Sequence, residues 1–156
     1  MGSDLAVVTS EEKLSKKDFM LFIQSVGGTI SQSVGGKIDF EGFCEGYFND
    51  EKTGQQLIIF FDPTALRSLA EDEPETLEHI ATMLGAKPQH CFIIEPLSNP
   101  SSNLLAVDFA ILCAQKWPCI GWNPTDPPSF FTLEQLLRLQ RAGISFDSCD
   151  LNMDLL

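Results

Sequence analysis

Hydrophobic residues recur along this chain at two spacings, and the change from one to the other sets the expected architecture. Phe19, Phe22, Ile23 and Val26 fall at i, i+3, i+4 and i+7, one face of a helix. Thr9 and Glu12 precede it as a capping pair of T-x-x-E type, and Gly27-Gly28 ends it. Residues 1–8 read as a loose lead-in. Residues 29–34 are β-prone, and Gly35-Gly36 suits a tight two-residue turn. Residues 37–48 then alternate. Ile38, Phe40, Cys44 and Phe48 point one way; Lys37, Asp39, Glu41, Glu45 and Asn49 point the other, although Phe43 and Tyr47 share that polar side. After a turn at 49–54, residues 57–61 form the continuous apolar run expected of a strand buried on both faces.

The second half changes period. Residues 63–72 read as a connection with a helical turn around Leu66 and Leu69. Pro74 suits the first turn of a helix striped by Leu77, Ile80, Ala81 and Leu84, which Gly85 and Pro88 stop. Residues 91–94 read as a buried strand. Ser101 or Ser102 can cap a helix over 104–117 that is apolar almost all round, so it is buried or packs on two neighbours. Residues 119–122 form a short strand and 123–129 a proline-rich loop. Thr132 and Gln135 cap a last helix, with Leu133, Leu136 and Leu137 inward and Gly143 after it. The expectation is one α/β domain over 1–156 with the order α-β-β-β-α-β-α-β-α. Its mixed sheet of about five strands starts as an antiparallel meander and continues as a βαβαβ unit with parallel strands. The acidic and apolar tail 146–156 either docks on the core or waits for a partner groove.

Composition narrows the function. The chain has 156 residues, 44% hydrophobic and 21% charged, which suits one globular domain. Its net charge is -12. Nucleic acid and anionic membranes are therefore expected to be excluded as partners, since both require a basic surface. A basic protein would be steered toward this one. The five cysteines are odd in number and form no C-x-x-C, which fits a reducing, cytoplasmic interior with the thiols acting as small hydrophobes. The opening ten residues lack the basic and apolar regions of a signal peptide, and no run approaches membrane-span length.

Candidate chemistry is sparse. The carboxyl ends of parallel strands are where open α/β sheets bind ligands. Here they carry Asp62, Glu95 and Asn123, with Trp122 beside the last. Two carboxylates brought together there could divide acid and base roles, although Asp62-Pro63 and Glu95-Pro96 are also ordinary strand-to-loop punctuation. His79 and His90 have no ligand set around them, so no metal is expected. His90 and Cys91 are strand neighbours and face opposite ways. No phosphate-cradling glycine motif and no G-x-S-x-G occur, and no cofactor is expected. Asp39, Glu41 and Glu45 line one side of a strand, either as a solvated face or as a contact surface for a basic partner.

One resemblance stands in the last third. A helix over 104–117 runs into Ala114-x-x-Trp117-Pro118-Cys119-Ile120, followed by Phe130-Phe131-Thr132-Leu133-Glu134. This resembles the C-terminal part of small α/β immunity proteins of bacterial toxin systems. The resemblance implies binding, with an acidic surface covering a basic toxin's active site, a logic that barstar-like inhibitors share. The expected function is thus a non-catalytic acidic binding protein. The alternatives are a small enzyme or ligand-binding domain at the strand-end cleft, and an assembly subunit pairing through the apolar helix or the tail.

Overall fold

The computed structural model describes residues 5–30, 44–50, 54–62, 64–96, 100–124 and 129–144. In chain order its elements are β1 (Leu5–Thr9), α1 (Lys16–Ser25), β2 (Thr29–Ile30), β3 (Cys44–Asp50), β4 (Gln55–Phe61), α2 (Ala65–Asp72), α3 (Pro74–Leu84), β5 (His90–Pro96), α4 (Pro100–Lys116), β6 (Cys119–Asn123), β7 (Ser129–Phe131) and α5 (Leu133–Ala142). The strands form one sheet in the order β2-β3-β4-β5-β1-β6-β7.

The expected lead-in is an interior strand of this sheet, between β5 and β6. All five residues of β1 are buried. Leu5 and Val7 enter one core, and Ala6 and Val8 enter another on the opposite face. A strand covered on both sides has no polar alternation to mark it, and a run this short at a chain end resembles a tail. β1 pairs antiparallel with β5 and with β6. Those two strands therefore run in the same direction, joined by α4, but with β1 between them: a split βαβ unit. The parallel pairing expected there is replaced by two antiparallel pairs. β4 is antiparallel to β5 as well, so every pairing among the described residues is antiparallel. The antiparallel succession of β2, β3 and β4 agrees with the expected meander. Its Gly35-Gly36 turn lies outside the described residues, as does the tail 146–156. β7 adds a strand at the end of what reads as a proline-rich loop.

Helix boundaries follow their caps. α1 starts after Ser15, whose Oγ accepts from the Asp18 N–H at 3.2 Å while Asp18 accepts from the Ser15 N–H at 2.9 Å. These backbone and side-chain hydrogen bonds from Ser15 hold the Asp18 carboxyl below its usual range. Thr9 caps nothing. It is fully buried, and its hydroxyl donates to the Pro118 carbonyl at 2.8 Å. Thr132 and Gln135 do form their reciprocal pair, at 2.9 and 3.3 Å. Pro74 opens α3 and Gly85 closes it in the left-handed region, at φ 71. α4 begins at Pro100, so Ser101 and Ser102 lie in its first turn and do not precede it.

α1, α4 and α5 cover one face of the sheet, and α2 and α3 cover part of the other. The larger core is a chain of rings. Phe19 stands 5.5 Å from Phe61 and 5.3 Å from Phe92, Phe22 is 4.7 Å from Trp117, and Phe109 is 5.3 Å from Phe48. Each buried phenylalanine contributes ~1.5–3 kcal/mol by leaving water. α4 spends its apolar surface on this core, leaving Leu104 as its exposed large hydrophobe. β4 is buried on one face only: Leu57, Ile59 and Phe61 are inward, whereas Ile58 and Phe60 are half-buried. Gly28 lets α1 lie against β3, since a Cβ there would meet the Tyr47 carbonyl oxygen at 2.3 Å.

Phe19→Ala is expected to cost about 3–5 kcal/mol, because it opens a cavity in the middle of the ring chain. Urea denaturation reads this. A loss under 1 kcal/mol would contradict the central place given to Phe19.

Candidate functional site

The strand-end quartet can be placed from the register alone. β4 runs opposite to β5, so its carboxyl end lies at the other edge of the sheet from the carboxyl ends of β5 and β6. Asp62 follows Phe61, which pairs with Phe92, while Glu95 pairs with Ile58. Four residue steps separate them along the strands, roughly 13 Å at ~3.3 Å per residue. Glu95 is exposed. Trp122 and Asn123 are neighbours on β6 and point to opposite faces. Trp122 belongs to the core under α2 and α3, and Asn123 is fully buried toward the other helices. The quartet thus does not converge, because the expected parallel order on which it depended is absent.

Two of its members do share a hollow. A cavity of about 360 Å³ lies between α2 and the sheet, and both Asp62 and Trp122 line it. Leu5, Ala6, Leu69, Cys91 and Ile93 give it an apolar floor. Thr64, Ser68, Asp72 and Glu73 form its polar side. Its size falls within the range of small-ligand pockets, ~300–1,000 Å³. The Asp62 carboxylate accepts from the Thr64 N–H at 2.9 Å and from the Thr64 hydroxyl at 2.7 Å, which fixes the turn into α2. The punctuation role and the cavity position therefore coincide in one residue.

Trp122 carries the least comfortable polar group. Its Nε1 is buried and has no hydrogen-bond partner. An unsatisfied buried donor costs ~1–3 kcal/mol. The tryptophan stands out in the sequence, but nothing there marks its N–H as orphaned.

α2 itself is thinly held. Leu69 is its one buried residue, and Arg67, Ser68, Ala70, Glu71 and Asp72 are exposed. The turn into α3 continues the exposure. Glu71, Asp72, Glu73, Glu75 and Glu78 are all exposed within eight residues. None of these five makes an ion pair among the described residues. In the sequence this acidic corner is the run 71–75, which has none of the alternation that marks the strand around Glu45. Of the expected strand surface, Asp39 and Glu41 lie outside the described residues. Glu45 is half-buried, and its Oε2 accepts from the Tyr47 hydroxyl at 2.9 Å. Glu45 pairs across β4 with Phe60, which pairs with Ile93. Glu45 and Glu95 therefore face the same side of the sheet as α2 and α3.

A second cavity, of about 350 Å³, lies by α1 and the end of α4. Lys13 and Lys116 share it with Glu11 and Asp18, so it favours neither sign of charge. The histidines do not join either hollow. His79 is exposed and packs on Phe130 at 4.5 Å. His90 lies 5.6 Å from Phe61, and burial holds it below the usual imidazole range against the opposing pull of Glu12 and Glu11. Cys91, Cys113 and Cys119 are free and buried. Burial pushes Cys91 up to about 12, helped by the nearby charge of Asp62. Burial likewise takes Cys119 to about 12 and raises Cys113. Among the described residues no group of three or more His, Cys, Asp or Glu could hold a metal ion. Among them, too, no helix is long and apolar enough to cross a membrane. No protein-family model matches the chain, and none of the curated proteins or solved structures compared with it matches either. In the segment 114–120, Trp117 has a packing role: it lies against Phe22 and Phe92, at 4.7 and 5.7 Å.

Two outcomes follow from these titrations. Iodoacetamide at pH 8 should leave Cys91, Cys113 and Cys119 unmodified in the native protein and label them after unfolding, as peptide mass spectrometry reads. Rapid native labelling of Cys91 would show that its thiol is reachable through the cavity. For His90 the folded pKa lies below the ordinary value of 6.5. The folded state therefore binds fewer protons there than the unfolded state does. Its contribution to stability is present above pH 6.5 and is lost as pH falls from there through the lower folded value. His90→Gln should flatten the fall in denaturation midpoint over that window; an unchanged slope would contradict it.

Proposed function

We propose that this chain is a non-catalytic acidic binding protein whose partner is a basic protein, in the manner of an immunity-type inhibitor of a basic toxin. One observation carries the reading: five unpaired, exposed carboxylates crowd the α2–α3 corner beside a hollow in the surface. Five like charges within eight residues favour a cationic partner over an anionic one. Glu45 and Glu95 extend the same side of the molecule. The contact surface accordingly centres on α2–α3 and reaches toward Glu45; Asp39 and Glu41 lie outside the described residues. A net charge of -12 would speed the encounter.

The reading as a small enzyme has less behind it, because Asp62, Glu95, Trp122 and Asn123 share no reacting locus. The assembly reading has less behind it on α4, which buries most of its described apolar residues within the chain and leaves Leu104 exposed.

The triple variant Glu71→Lys, Glu75→Lys, Glu78→Lys changes exposed positions that do not line the cavity. Immobilised wild-type protein should retain a basic protein from cells of the source organism at low salt. The triple variant should weaken that complex by about tenfold or more, mainly through slower association, and salt should weaken the wild-type complex in the same way. Retention of no basic protein at low salt would sink the proposal. So would a complex indifferent to the three reversals.

A further inference from the structure

We infer that the hollow beneath α2 receives one arginine or lysine side chain of the basic partner. Its cation would sit at the carboxylates of Asp62, Asp72 and Glu73, with its aliphatic stem on the apolar floor. This deepens the reading of the chain as an acidic binding protein and rests on it.

The lining is that of an amphipathic cation's receptor. The floor of Ala6, Leu69 and Ile93 is apolar, and it suits methylene groups. The charged groups at the walls, Asp62, Asp72 and Glu73, are all anionic. Arg67, the cation of α2, does not line the space. The negative charge of Asp62 is felt within the hollow, where it helps raise the thiol of Cys91. An anionic or purely apolar occupant would meet repulsion or strand these carboxylates.

Trp122 supplies the second, independent observation. It is 9% exposed, lines the cavity, and its indole N–H has no acceptor from the chain. A peptide occupant brings main-chain carbonyls next to its side chain, and one of these can accept from Nε1. The indole face also offers a cation–π surface to a guanidinium or ammonium. Because Nε1 is sealed from solvent, α2 must shift to admit the acceptor; Leu69 is its one fully buried residue, with Ala65 and Leu66 half-buried beside it. The volume, about 360 Å³, exceeds one side chain and leaves room for the adjoining peptide group.

The experiment uses the full chain labelled with nitrogen-15. The sequence has two tryptophans, and Trp117→Phe assigns the indole signals. Capped arginine (Nα-acetyl-arginine-N-methylamide) should shift the Trp122 indole and the α2 amides with a dissociation constant of about 1 mM, the affinity of a single anchoring residue. Capped citrulline has nearly the same shape without the charge, and it should bind at least about tenfold more weakly. Ser68→Trp, which fills the hollow from an exposed position on α2, should remove the shift while the thermal midpoint holds. Asp72→Asn with Glu73→Gln should weaken binding about tenfold.

No movement of the Trp122 indole with capped arginine or capped lysine overturns the assignment, as does equal binding of citrulline. These failures are separable from failure of the broader reading. If capped arginine is silent yet the basic partner is still captured through Glu71, Glu75 and Glu78, the acidic surface stands and the hollow does not. If capped arginine binds but no basic protein is ever retained, the hollow takes a free small cation and the assignment to a partner's side chain is overturned.

Discussion

The structure depends on one insertion: β1 lies between β5 and β6 and hydrogen-bonds to both. Without it, two strands that run the same way would each present a bare edge beneath α4. With it, Leu5 and Val7 supply the core of one layer and Ala6 and Val8 the core of the other. Five residues thus tie together three helices on one side and two on the other. Thr9 closes the arrangement. Its hydroxyl reaches the Pro118 carbonyl, and its own carbonyl accepts from the Gln89 N–H at 2.8 Å, so the starts of β5 and β6 are held at one level. Because these bonds link residues far apart in sequence, the sheet centre forms only when both halves of the chain are present.

This dependence explains which parts of the fold were legible in the sequence. α3 and α5 were read nearly to the residue, because Pro74, Gly85, Thr132, Gln135 and Gly143 are local signals that act on their own neighbours. The face of α1 was read, but its start was not: T-x-x-E and S-x-x-D both occur, and tertiary bonding claims Thr9 for the sheet. The strand order was not legible. Apolar runs at 57–61, 91–94 and 119–122 correctly indicate strands, yet periodicity carries no information on which strand lies beside which. Crossover rules suggested parallel neighbours, and an N-terminal strand taking the middle position defeated that inference. The strand-end quartet failed for the same reason, since its convergence presupposed that β4 and β5 run together.

The acidic candidates illustrate a different limit. Alternation made the outward positions around Glu45 prominent, but half of its side chain is covered and it is engaged by Tyr47. The run Glu71-Asp72-Glu73-Pro74-Glu75 has no periodicity, so nothing in the sequence assigns it to a face. Its meaning appears only when α2 and α3 are set on the sheet and the carboxylates gather at one corner.

That corner and the hollow beside it follow from a single property of α2. This helix has one fully buried anchor, Leu69, with Ala65 and Leu66 half-buried beside it, and its carboxylates face solvent. Filling the space with larger apolar side chains would seat the helix and satisfy the fold. The chain instead leaves a cavity with an unsatisfied indole N–H and a charged rim, features that each cost stability. In the proposed complex a cation would quench the repulsion, a carbonyl would satisfy Trp122, and a stem would fill the void. All three deficits lie within one small region and are of kinds that one basic residue can correct together. This coincidence, absent from the mixed-charge hollow by α1 and α4, is what the proposal of a basic partner on the α2 side rests on.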